Sequence, residues 1–112
     1  MTAQARKREL LPGTLDMLVL RVLSRGELHG WGITSTLEVL SNSALQVDEG
    51  SLYPALYRME DKGWIKARWG VTENNRRAKY YSLTRSGRKQ LETEQENWDS
   101  MSAIIAQVLH SA

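Results

Sequence analysis

Apolar positions recur at helical spacing in three successive stretches, alternate briefly in a fourth, and return to helical spacing at the end of the chain. Leu15, Leu18, Val19, Val22 and Leu23 form the first stripe, with Thr14 placed to cap its start and Gly26 to end it. Met17 and Leu20 lie off that stripe, so this helix is apolar around too much of its girth for a one-sided surface helix. It is either central in its domain or meets another chain with its second face. Trp31, Ile33, Leu37 and Leu40 predict a second helix to about Leu40, opened weakly by Gly30 and Gly32, with His29 hydrogen-bonding locally at its start. Ser41-Asn42-Ser43 reads as a loop.

Asp48 is placed to cap a third helix, Glu49 to about Lys62, stopped by Gly63. Leu52, Leu56 and Met59 form its inner stripe. Pro54 falls in the second turn if Asp48 caps, and in the first turn at little cost if Ser51 does. The composition of 64–69 and of 79–83 predicts two strands, and the polar stretch 70–78 an extended loop between them. Thr84 then caps a helix running to about His110, with Leu91, Trp98 and Ile105 seven apart and Met101, Val108 and Leu109 beside that seam. Apolar heptad spacing with no following element to cover it needs a partner. The order helix, helix, helix, hairpin, long helix is that of a winged helix-turn-helix. The predicted fold is therefore mainly α with a small β-hairpin. Residues 1–84 would form the winged unit, with 1–11 as a polar arm, and 85–112 a dimerisation helix.

The composition narrows the function. The chain has 112 residues, enough for one domain with an appended helix. It has no cysteine and two histidines, which excludes disulfides, a thiolate nucleophile and a His-rich metal site. No glycine-rich phosphate loop or GxSxG motif is present, so an enzyme is not expected, nor is a cofactor. Arg6, Lys7 and Arg8 are not followed by an apolar run, and no stretch approaches the ~20 apolar residues of a membrane span. A cytoplasmic protein is the expectation. Net charge is only +2, yet residues 64–90 carry eight basic side chains and one acidic one. A basic stripe inside a nearly neutral chain fits an anionic partner, double-stranded DNA first.

The third helix suits a major groove. Its candidate readers are Ser51, Tyr53, Pro54, Tyr57, Arg58 and Lys62, although Tyr53 also suits the core with its hydroxyl at the edge. At the hairpin, Asn75, Arg76, Arg77 and Lys79 can reach phosphates or a narrow minor groove. One domain offers few base contacts, which points to a homodimer on a palindrome with half-sites ~34 Å apart. Its candidate interface is Met17, Leu20, Leu91, Trp98, Met101, Ile105 and Val108. Trp98 near its symmetry mate either packs that interface or sandwiches a flat aromatic or phenolic molecule, with Met17, Arg21, Gln95 and Ser102 lining the same space. A winged-helix module that binds protein without reading DNA is the competing class.

The stretches Leu15-Asp16-Met17-Leu18-Val19-Leu20, His29-Gly30-Trp31, Gly50-Ser51-Leu52-Tyr53-Pro54-Ala55-Leu56, Met59-Glu60-Asp61-Lys62-Gly63, and Lys79-Tyr80-Tyr81-Ser82-Leu83-Thr84 followed by Gly87 occur in this order. Together they resemble the PadR family of bacterial transcriptional regulators. The resemblance implies a dimeric winged helix-turn-helix repressor joined through its first and last helices. The single closing helix matches the short members of that family, some of which stack flat drugs on a tryptophan at the place of Trp98. Trp31 stands where tyrosine is usual, and Ala78 where a basic residue or proline is common, which shifts wing contacts towards Arg76 and Arg77.

Overall fold

A computed structural model describes residues 13–112; the expected arm, 1–11, and Pro12 lie outside them. The first helix, α1, is Thr14–Leu23. Its cap is Gly13 at φ 87°, not Thr14: a left-handed turn starts the helix one residue early, and Thr14 falls inside the first turn. After Leu23 the helix tightens into i→i−3 bonds, Arg25 N–H to the Val22 carbonyl and Gly26 N–H to the Leu23 carbonyl, and Gly26 at φ 149° ends it.

Leu28–His29 then form a strand, β1, that the sequence does not announce: two residues are too few to show alternation. His29 next caps α2, Gly30–Leu40, its Nδ1 accepting from Gly32 N–H at 2.9 Å. Only Ile33 and Leu37 of the α2 apolar series are buried; Trp31 and Leu40 are exposed. One turn of spacing suffices to fill the core from this helix, and the other apolar positions fall on its solvent side.

Asp48 caps α3, Glu49–Asp61, accepting from Ser51 N–H at 2.9 Å. That settles the capping alternatives, and Pro54 sits in the second turn as an internal proline. Gly63, at φ 79°, turns the chain into the sheet. Strands β2, Ile65–Val71, and β3, Arg77–Leu83, pair antiparallel, with β1 on the far side of β3, in the order β1-β3-β2. The sheet is thus three-stranded, not a two-stranded hairpin. The predicted loop also shrinks to 72–76, because Gly70↔Ala78 and Val71↔Arg77 extend the ladder. Backbone pairing needs no apolar side chains at an exposed hairpin end. Asn75, at φ 62°, takes the left-handed position of the turn.

The closing helix, α4, is Arg85–Leu109. Thr84 caps it, accepting from Gly87 N–H at 3.0 Å, while its hydroxyl lies 2.6 Å from the Gly63 carbonyl oxygen. The core gathers Val19, Leu20, Val22 and Leu23 of α1 against Ile33, Leu37, Leu52, Leu56, Met59, Ile65, Leu83 and Leu91. Each such aliphatic side chain contributes about 1.5–3 kcal/mol on full burial. Two expected interface residues are therefore reassigned. Leu20 is fully buried and Leu91 only 7% exposed, so both pack within their own chain. Leu20 turns the second face of α1 into the winged core, while Met17 on that face is only partly buried.

Candidate nucleic-acid interface

The inner stripe of α3 is Leu52, Ala55, Leu56 and Met59. The helical period then turns Ser51, Tyr53, Pro54, Tyr57 and Arg58 outward, all exposed. Tyr57 is 75% exposed and Tyr53 44%. Tyr53 is therefore an edge residue: its ring lies so close to Gly30 of α2 that a Cβ there would collide with it. Glycine at position 30 lets α2 approach the exposed helix.

Strand alternation divides the wing. Ile65, Ala67, Trp69 and Val71 of β2 face the same way as their cross-strand partners Leu83, Tyr81, Lys79 and Arg77. Near the base this face fills the core; further out it is solvent-exposed beside α3. Lys79 Nζ, 3.5 Å from Glu60 Oε1, joins the two elements. Tyr81 lies beneath that junction. Burial pushes its phenol pKa up, with Glu60 and then Tyr53 adding to the effect. The opposite face carries Lys66, Arg68, Gly70 and Tyr80. There Arg68 donates two bonds to the Glu27 carboxylate, at 2.6 and 2.8 Å, and stacks on Tyr80 at 5.0 Å.

The expected contact residues of α3 and the wing are linked through the Lys79–Glu60 pair, but they are not equally free. Arg58 is half-exposed and donates to Asp16 of α1 at 2.7 Å. Lys62 lies over the Trp64 ring at 4.7 Å, at the end of the helix. Lys79 is shared with Glu60. Asn75 and Arg76 sit exposed in the turn, where Arg76 N–H donates to the Thr72 hydroxyl at 3.2 Å. Arg77 lies on the strand, not in the loop tip, with its guanidinium 4.6 Å from the Trp69 ring centroid. Trp69 and the pairing acids Asp16 and Glu60 escaped the sequence reading. Strand composition flagged Trp69 only as a β residue, and the acids pair across long sequence separations.

A second feature lies between α1 and α4. An open groove of about 520 Å³ is lined by Gly13, Thr14, Met17, Glu94, Asn97, Trp98, Ser100 and Met101. Met17 and Trp98 both line it, whereas Arg21, Gln95 and Ser102 are not among its lining residues. From Met101 onward, Ile104, Ile105, Val108 and Leu109 are about half-exposed or more. Among the described residues no cluster of His, Asp or Glu is arranged to hold a metal ion, and no helix is long and apolar enough to cross a membrane.

A family model described as the transcriptional regulator PadR-like family matches residues 19–93. The solved structure of a transcriptional regulator from Clostridium thermocellum is 28% identical, with a TM-score of 0.78 over 85% of this chain and 92% of that one. A PadR-like transcriptional regulator from Bacillus cereus, also 28% identical, gives 0.76 over 89% and 95%. The negative transcriptional regulator PadR of Bacillus subtilis is 31% identical over 77 residues. Those residues are 69% of this chain but 42% of that protein, so the chain spans less than half of that relative's length. With a winged-helix fold, an exposed third helix beside a basic wing, and a family match over most of its length, the chain belongs to the PadR-like family of DNA-binding transcriptional regulators and not to an enzyme family.

Proposed function

We propose that this chain is a ligand-responsive repressor that binds a palindromic operator as a homodimer. Residues 13–84 carry the reading surface, with Ser51, Tyr53, Pro54 and Tyr57 of α3 towards the bases and Asn75, Arg76 and Arg77 of the wing on the backbone. Residues 85–112 carry the dimer contact. The observation that carries this reading is the uncovered apolar stretch of α4. Trp98, Met101, Ile105 and Val108 are 46–67% exposed, on a helix whose first turns are anchored in the core through Leu91. Four such side chains offered to water on a rigid helix favour self-association, since each gains about 25 cal/mol for every Å² covered. Repression follows the printed name of the Bacillus subtilis relative. The groove holding Met17 and Trp98 borders the apolar stretch of α4 that forms the dimer contact, so a flat aromatic guest there would bias the angle between protomers. Such a guest acts only through unequal affinity for two dimer geometries.

The test is selection of bound duplexes from sheared genomic DNA, alongside sedimentation of the purified protein and of Ile105→Glu. The wild type is expected to sediment as a dimer and enrich an inverted repeat, and the variant to sediment at 12.8 kDa and lose that preference. A wild-type species of 12.8 kDa at micromolar concentration, or enrichment of single half-sites, refutes the dimeric reading.

A further inference from the structure

Trp69 is 57% exposed in the middle of β2, and nothing above gives it a task. The register places it on the α3 side of the wing, directly opposite Lys79 and diagonal to Arg77. Its indole lies under the Arg77 guanidinium, 4.6 Å from ring centroid to guanidinium carbon. The neighbouring wing cations differ. Arg68 is held by Glu27 and Lys79 by Glu60, whereas Arg77 has no carboxylate partner among the described residues. Its charge is thus oriented by a ring without being neutralised. A guanidinium held over a ring spends none of its N–H donors on a carboxylate, which leaves them for another oxygen acceptor. Holding a long side chain in one geometry beforehand removes part of the ordering cost of binding.

We infer that Trp69 is a positioning residue for DNA binding: it pre-orders Arg77 so that the guanidinium edge meets a phosphate of the duplex. This rests on the reading surface proposed above. The α3-facing strand register and the uncompensated charge argue for it together.

The experiment measures affinity of full-length protein for a duplex recovered by selection, and for a mixed-sequence duplex of equal length, across a salt series. Arg77→Ala is expected to weaken both and to reduce the log–log salt slope by about 1.8, one phosphate contact from each protomer of the dimer. Trp69→Ala is expected to weaken both by about tenfold, about threefold for each protomer. Trp69→Phe, which keeps a ring face, should recover most of that loss. In an Arg77→Ala background, Trp69→Ala should cost nothing further. An undiminished loss in that background would show Trp69 touching DNA on its own account and overturn the inference. So would wild-type affinity in Trp69→Ala beside a weakened Arg77→Ala. Wild-type affinity in Arg77→Ala would instead remove the wing from the reading surface, and the inference with it. Circular dichroism of each variant separates these results from loss of fold, and Trp69→Phe carries the test if Trp69→Ala unfolds.

Discussion

Gly87 stands in the first turn of α4, where that helix crosses the beginning of the sheet. A Cβ at this position would press into the Trp64 carbonyl oxygen, with the Trp64 carbonyl carbon and Leu83 Cδ1 each only 2.9 Å away. Ordinary carbon contacts lie at about 3.5–4.0 Å. The Leu83 side chain can turn aside; the Trp64 carbonyl cannot. It accepts from Thr84 N–H at 3.0 Å and lies 3.0 Å from the Thr84 hydroxyl, which also reaches the Gly63 carbonyl at 2.6 Å. Gly87→Ala must therefore lift α4 off the sheet. Overpacking of this kind costs about 1–3 kcal/mol. Weakening the Thr84 hydroxyl bonds adds about 1 kcal/mol, and the better helix propensity of alanine returns about 1 kcal/mol. The net loss is about 1–3 kcal/mol, or roughly 4–12 °C in Tm for a chain of this size. Gly50→Ala is the matched control. Its Cβ would meet nothing nearer than Asp48 Oδ1 at 3.7 Å, in a helix of ordinary geometry. That variant should gain up to about 0.5 kcal/mol. Thermal unfolding followed by circular dichroism, at one fixed protein concentration because self-association shifts Tm, compares the two. A Gly87→Ala protein that melts with the wild type or above it refutes the close approach of α4 to Trp64.

Two further outcomes follow from the same physics. The Arg68 guanidinium, through its hydrogen bonds first and its charge second, holds the Glu27 carboxyl below its ordinary value of 4.5. A carboxylate pKa lowered by folding contributes stability above the ordinary value and loses it as pH falls through the folded one. Titration of the Glu27 side chain by NMR should show its midpoint rise in Arg68→Gln, and an unchanged midpoint would dissolve the pair. Pro54 interrupts α3 without an N–H for the Gly50 carbonyl one turn earlier. Pro54→Ala should therefore raise stability by about 2 kcal/mol, after the entropy that proline removes from the unfolded chain is set against the gain. A lower Tm would show that the proline fits this turn without cost.

What the sequence determined by itself is local. The caps Asp48 and Thr84, and the capping role of His29, each bond an N–H three residues ahead, so a short window of residues carries the whole interaction. The exposed seam of α4 was legible as well, because Leu91, Trp98 and Ile105 recur at heptad spacing within the helix itself. The wing's charge was legible as composition. The tertiary structure alone decided which faces and charges remain available. Strand β1 exists only because Leu28 and His29 find Tyr81 and Tyr80 across the fold. Leu20 and Leu91 looked like interface residues until the packing of α1 and α4 buried them in their own core. Arg58 and Lys79 looked equally free until Asp16, 42 positions away, and Glu60 came within reach. Periodicity shows that a helix has an apolar face and a segment a surplus of charge. Which face is covered and which charge is compensated depends on neighbours that only folding brings together.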